Sequence, residues 1–167
     1  MFINFWYPAG RSTDIIGTPV RRRMLAQDFV LWRDGTGQAH CLANTCIHRG
    51  ASLADGKVRD GEVQCPYHGW RFAGDGRCTA IPSLGKHARI PGRARVDAYP
   101  VKEKYGLVFV FLGDLPEEQR CPIMEIAEYR GDQPDPGWRA TIQHFEWDID
   151  YQRSIEKRVV RALMGLA

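Results

Sequence analysis

Residues 46–51 read Cys46-Ile47-His48-Arg49-Gly50-Ala51, and residues 65–70 read Cys65-Pro66-Tyr67-His68-Gly69-Trp70. A Cys-x-His pair and a Cys-x-x-His pair are thus separated by residues 49–64. Each pair sits where short strands should run into a loop. Asp60-Gly61 is a turn signal, and Glu62-Val63-Gln64-Cys65 reads as a strand leading into the second pair. Gly50, Gly69 and Pro66 suit loops folded closely around a bound group, with backbone N–H groups turned toward it.

Outward from these loops the chain reads as short strands and turns. Residues 28–33 (DFVLWR) form a strand, Asp34-Gly35-Thr36-Gly37 a turn, and residues 38–43 the returning strand. Trp70-Arg71-Phe72 is another short strand, and Gly74-Asp75-Gly76 turns the chain into residues 77–81. Residues 94–101 and 107–112 are further strands, with Lys104-Tyr105-Gly106 between them. The run Leu107-Val108-Phe109-Val110-Phe111-Leu112 is apolar throughout and should be buried on both faces. Turn signals at about ten-residue intervals predict an all-β fold, an antiparallel β-sandwich or barrel. The 46–51 and 65–70 loops should form a smaller binding lobe on it.

The character changes after Gly113. Pro116, Pro122, Pro134 and Pro136 make the next stretch a linker with a short helix at most, and residues 137–148 suit one more strand pair. Trp147, Tyr151, Ile155, Val159 and Leu163 recur every four residues, the pattern of an amphipathic helix whose apolar stripe serves packing. The predicted tail is therefore short, part helical and part irregular.

At 167 residues the chain has length for one principal domain, with a core that needs no disulfide staples. Hydrophobic residues at 44% and charged residues at 26% match ordinary globular protein. A formal net charge of +3 is too weak to argue for nucleic acid or a membrane surface, and it leaves room for an acidic partner. No apolar run approaches the roughly 20 residues of a membrane span. The opening Met1-Phe2-Ile3-Asn4-Phe5-Trp6 lacks the basic n-region and long apolar core of a secretory signal. A cytoplasmic location is the expectation. In its reducing thiol pool the five cysteines (Cys41, Cys46, Cys65, Cys78 and Cys121) read as ligands or free thiols.

The two Cys/His pairs are the feature that carries chemistry. Thiolates suit iron as soft, anionic donors, and imidazoles suit it as neutral, borderline ones. A 2Fe–2S cluster takes four protein donors, two on each iron. When two of them are histidines on one iron, less negative charge surrounds the cluster and the potential rises to roughly −150 to +300 mV, against about −400 mV for plant-type ferredoxins. The same residue types also make structural zinc sites, although zinc ribbons and fingers usually put their cysteines in one pair and their histidines in the other. A degenerate site without metal is the third reading, set against the presence of all four donors.

The order Cys-x-His, spacer, Cys-x-x-His resembles the Rieske proteins. The neighbours in Cys46-Ile47-His48-Arg49-Gly50 and Cys65-Pro66-Tyr67-His68-Gly69-Trp70 look like the loops of the Rieske non-haem iron oxygenases, the aromatic-ring-hydroxylating group. Phe5-Trp6-Tyr7-Pro8 and residues 104–113 (KYGLVFVFLG) are similar to the flanks of that domain. The resemblance covers residues 5–115 and implies a Rieske 2Fe–2S domain there, with residues 116–167 a linker and the start of an oxygenase catalytic domain. It implies that Cys46 and Cys65 hold an inner iron and that His48 and His68 hold an outer one nearer solvent. Respiratory Rieske proteins carry an extra cysteine in each loop, joined as a disulfide. Ala51 and Tyr67 stand at the matching positions here, so that bridge is absent and a potential in the lower part of the Rieske range is expected.

The family also implies partners. A ferredoxin or flavin reductase supplies the electron, and a mononuclear iron domain accepts it, often in a neighbouring subunit of an oligomer. That second iron is held by two histidines and a carboxylate. Residues 147–156 (WDIDYQRSIE) look like the opening of that domain, but no histidine follows His144, so this chain offers the mononuclear iron no candidate ligands. The chain alone is therefore not expected to hydroxylate a substrate. Truncation in mid-motif and a naturally short protein both account for the tail, the former better. The function implied is electron transfer as the Rieske part of an oxygenase α subunit, and the alternative is a stand-alone Rieske ferredoxin or small reductase subunit. Residues 147–156 favour the first, since a simple ferredoxin should end near Gly113. Outside the pairs, Cys41, Cys78 and Cys121 read as buried or incidental thiols, and His40, His87 and His144 as core or surface histidines. Arg21-Arg22-Arg23 reads as a solvated strand edge, and Trp70 beside His68 as packing for its loop.

Overall fold

The computed structural model describes residues 3–85 and 88–141. Two compact units are defined, Met1–Asp135 and Pro136–Ala167, and residues 136–141 of the second are described. The expected tail helix over 147–163, most of the 137–148 strand pair, His87 and His144 lie outside the described residues.

The strands of the first unit are short. They are β1 (Phe5–Arg11), β2 (Val20–Met24), β3 (Gln27–Arg33), β4 (Ala39–Ala43), β5 (Lys57–Arg59), β6 (Glu62–Gln64), β7 (Arg71–Phe72) and β8 (Cys78–Ala80). They continue as β9 (Ala98–Tyr99), β10 (Val101–Lys104), β11 (Leu107–Leu112), β12 (Tyr129–Arg130) and β13 (Gln133–Pro134). The described helices are three short 3-10 turns: Ser12–Asp14, Pro82–Leu84 and Glu117–Gln119. Three antiparallel sheets result, in the orders β2-β3-β4-β9, β1-β11-β10 and β5-β6-β7-β8, with β12-β13 a separate hairpin. The all-β, antiparallel architecture expected from the turn spacing is the one observed.

Strand β3 explains how the layers stack. Side chains alternate faces along a strand. Phe29 and Leu31 join one core with Ala9, Cys41, Val108 and Val110, between the first two sheets. Val30 and Trp32 point the other way, into a second core with Cys46, Leu53, Val63, Cys65 and Phe72. The β2–β4 sheet is thus a middle layer. Its β3 run is apolar because both faces are covered. Trp32 is fully buried and its Nε1 donates to the Gly61 carbonyl (2.9 Å), so the middle sheet is tied to the lobe that carries the two loops.

Strand β11 is covered on both sides as well. Val108, Val110 and Leu112 enter the first core. Phe111, also fully buried, faces away and meets Trp6 edge-on at 5.3 Å, with the Arg120 guanidinium 5.1 Å above its ring. The cover on that side comes from the chain after residue 113. Trp6 Nε1 donates to the Cys121 carbonyl (2.8 Å), and the Tyr105 hydroxyl accepts from the Ile126 N–H (3.0 Å).

The strand expected over 94–101 is broken. Arg95 makes an isolated bridge with Arg77, then β9 pairs with β4 and β10 with β11. Pro100 lies between β9 and β10, has no N–H to continue a ladder, and marks where the chain changes sheets. Gly76 permits the approach of residues 94–96. Its φ is +84°, and a Cβ there would fall on the Val96 carbonyl oxygen.

The β3–β4 turn carries a pH dependence. The Asp34 carboxylate accepts from the Thr36 hydroxyl (2.7 Å) and the N–H groups of Thr36 (2.8 Å) and Gln38 (3.0 Å), and it pairs with His40 Nε2 (2.8 Å). The bond to His40, then that to Thr36, holds its carboxyl well below the usual carboxylate range. A depressed carboxyl stabilises the fold above its unfolded-state pKa of about 3.9, and the contribution fades as pH falls below that. Asp34→Asn should therefore lower the urea midpoint at pH 7, and the gap to the parent should shrink by about pH 3. An equal gap at both pH values would refute this.

Candidate metal centre

The two loops close in the same way. The Cys46 N–H donates to the Ala51 carbonyl and the Gly50 N–H to the Cys46 carbonyl, both at 2.8 Å. The Cys65 N–H donates to the Trp70 carbonyl (2.8 Å) and the Gly69 N–H to the Cys65 carbonyl (3.1 Å). Each turn needs a left-handed residue at its fourth step, and Gly50 and Gly69 supply φ of +71° and +72°. At Gly50 only the backbone conformation demands glycine, since a Cβ there would meet open space. At Gly69 a Cβ would also press on Pro82 Cγ at 3.1 Å.

Two polar side chains latch these loops to the strands below them. Asn44, just after β4, is 4% exposed. Its Oδ1 accepts from the Ala54 N–H (2.8 Å) and its Nδ2 donates to Ser52 Oγ (3.0 Å). Gln64, at the end of β6, donates from Nε2 to the Gly69 carbonyl (3.2 Å), while its Oε1 is buried without a partner among the described residues. Neither residue belongs to a recognisable ligand motif. The available signal was a polar residue between an apolar strand and a cysteine pair.

The loops present their donors by type. Cys46 and Cys65 are 2% and 3% exposed and pack in the second core, whereas His48 and His68 lie at the surface. The two imidazole rings are 4.7 Å apart at 67°. The Trp70 ring stacks on His48, 4.6 Å away and within 6° of parallel, so it packs across to the other loop rather than on its neighbour His68. His68 instead has the Tyr67 ring at 3.9 Å.

Burial pushes the Cys46 thiol up to about 11, and the adjacent Cys65 sulfur adds to that, while the backbone N–H groups of His48 and Arg49 pull in the opposite direction. Those N–H groups are aimed where negative charge on sulfur would sit. The His48 imidazole is held below its ordinary value, first by lost hydration and then by its neighbours His68 and Arg49.

These donors fit a 2Fe–2S cluster. They form a buried thiol pair and an exposed imidazole pair, two donors for each of two irons. Among the described residues, no three Cys, His, Asp or Glu side chains converge on one ion-sized point.

The remaining candidates fall elsewhere. Cys41 is buried in the first core and its thiol is pushed well up by burial, and Cys78 is buried in the second core. Cys121 is half-buried, its Sγ 3.7 Å from the Asn4 carbonyl. His40 is bound to Asp34. Of the arginine triplet on β2, Arg21 pairs with Asp28 (2.6 Å) and Arg22 donates to the Ala9 carbonyl (2.8 Å).

Comparison with known proteins gives one consistent result. The family model described as Rieske [2Fe-2S] domain matches residues 5–100. The chain is 36% identical over 155 residues to the 3-chlorobenzoate-3,4-dioxygenase oxygenase subunit of Comamonas testosteroni, covering 87% of this chain and 35% of that one. It is 39% identical over 136 residues to the 4beta-methylsterol monooxygenase of Methylococcus capsulatus, covering 80% and 37%. Among solved structures, apo dicamba monooxygenase superposes with a TM-score of 0.63 at 34% identity, over 66% of this chain and 34% of that one. The chain spans little more than a third of the length of these curated relatives.

Proposed function

The chain belongs to the Rieske [2Fe-2S] domain family, and on that premise we propose that Cys46 and Cys65 hold the inner iron of its cluster and His48 and His68 the outer one. The observation that carries the assignment is the sorting of donors by depth, with both thiols buried and both imidazoles at the surface. When bound, the cluster takes up and releases single electrons.

The chain's own residues supply the rest. The buried cysteines keep water from the sulfurs, and the N–H groups of His48 and Arg49 face the Cys46 sulfur and offset negative charge there. Trp70 lies flat on His48 and restrains the orientation of that ring. The exposed edges of His48 and His68 leave a redox partner free to approach closely.

The reading extends to the protein as a whole. It is the electron-transfer part of an aromatic-ring-hydroxylating oxygenase α subunit, fed by a ferredoxin or flavin reductase and serving a mononuclear iron domain within an oligomer. Similarity to the dioxygenase subunit runs over 155 residues, well past the family match at 5–100, and this supports an oxygenase over a stand-alone ferredoxin. The Rieske domain is assigned to residues 5–115, and 116–167 to the linker and the start of the oxygenase domain. A reducing, cytoplasmic setting accords with five free cysteines. Among the described residues no helix is long and apolar enough to cross a membrane.

The test is direct. Protein purified anaerobically should contain about two irons and two acid-labile sulfides per chain, and dithionite should elicit an electron paramagnetic resonance signal absent from the oxidised form. A colourless protein with zinc and no sulfide would overturn the assignment.

A further inference from the structure

Beside the first loop lies an open recess of about 530 Å³, lined by Ile47, Trp70, Ile81, Leu84, Pro91 and Arg93 among others. Among the described residues of its lining, Arg93 is the one that carries a charge. Ile47 and Leu84 are 45% and 52% exposed, so two large apolar side chains stand in water at its rim. Trp70, part of its wall, also stacks on His48. A side chain seated in the recess would therefore touch a ring that touches a cluster ligand.

A second positive charge stands close to the recess. Arg49 is exposed in the first loop, close enough to His48 for its charge to act on that ring. Among the described residues, neither the Arg49 nor the Arg93 guanidinium makes a hydrogen bond or ion pair. Elsewhere Arg21, Arg33, Arg71, Arg77 and Arg130 each pair with a carboxylate. An apolar recess flanked by unspent positive charge suits a partner with an apolar knob set among carboxylates. A symmetric pairing with a second copy of this chain would bring the same arginines together, which like-charge repulsion opposes.

We propose that the recess with Arg93 and Arg49 is the docking site of an acidic electron-donor protein, which seats an apolar side chain against Trp70. This rests on the Rieske reading above. The donor gives up one electron, this protein gains one, and no covalent bond changes.

An acidic plant-type ferredoxin in its oxidised form serves as the probe, with binding followed by calorimetry at low and moderate salt. Binding should weaken by about tenfold or more as salt rises, and by at least about tenfold in Arg93→Glu and in Leu84→Asp. Arg130→Glu, on β12 and already paired with Asp135, should bind as the parent does. Both recess variants alter exposed side chains, and an unchanged visible spectrum verifies that each keeps its cluster. Absence of that spectrum from the parent protein marks failure of the Rieske reading itself. With the spectrum intact, three results would overturn the docking site: no binding at low salt, equal binding by Arg93→Glu and Leu84→Asp, or a parent dimer that Leu84→Asp converts to monomers.

Discussion

Replacing Cys65 with serine is expected to give a folded but colourless protein, with bound iron and sulfide reduced by more than about tenfold. A hydroxyl is a hard donor and far less acidic than a thiol, so it does not replace a thiolate on iron. Changes to groups that only support metal ligands already cost about 10–100-fold in metal affinity, and Cys65 is assigned to the ligand set itself. The control is Cys78→Ala. Cys78 is buried in the same core as Cys46 and Cys65, yet its Sγ faces the Ala80 carbonyl at 3.5 Å. That variant should lose some stability and keep its iron and sulfide. Iron and sulfide counts with the visible spectrum decide the matter. A Cys65→Ser protein with the parent's full complement of both would remove Cys65 from the ligand set.

Trp32→Ala should produce the largest loss of stability among single core substitutions. The Trp32 side chain is fully buried in the second core, tilted against the His40 ring (5.3 Å) and bonded through Nε1 to the Gly61 carbonyl. Truncating a buried tryptophan costs about 3–5 kcal/mol through lost burial and the cavity left behind. The Gly61 carbonyl also loses its donor. A cost of that size is a large part of the roughly 5–15 kcal/mol that holds a domain folded. Trp32→Phe keeps most of the packing and should cost distinctly less. Urea unfolding of cluster-loaded protein, with the three midpoints compared, checks the order. A Trp32→Ala midpoint within experimental scatter of the parent would mean that this ring does not join the middle sheet to the ligand lobe.

The two variants test different kinds of information. Cysteine and histidine at close spacing in glycine-bearing loops are a local pattern, and donor chemistry follows from residue type alone. Strands β3 and β4 were legible for a similar reason, because residues 28–33 and 38–43 flank a turn rich in glycine and aspartate. Strand β1 was harder to see. Its Phe5–Arg11 run contains Pro8 and Gly10, and its register against β11 shifts between them, so no clean alternation marks it. The cover that residues 114–126 place over Phe111 was illegible too. It depends on pairs such as Trp6 with Cys121 and Asn4 with Asp114, which lie more than a hundred positions apart.

From its residues alone this chain declared an antiparallel β fold and two cysteine–histidine pairs as candidate donors, because turn chemistry and ligand chemistry are written over a few adjacent positions. Depth was decided only by the assembled layers. Neither loop contains anything that makes its cysteine inner and its histidine outer. That sorting arises because the lobe packs against the side of β3 bearing Val30 and Trp32, which draws both sulfurs into the core and leaves both rings in water. The stacking of Trp70 on His48 is of the same kind, since it joins side chains from separate loops that meet only after the sheets have closed.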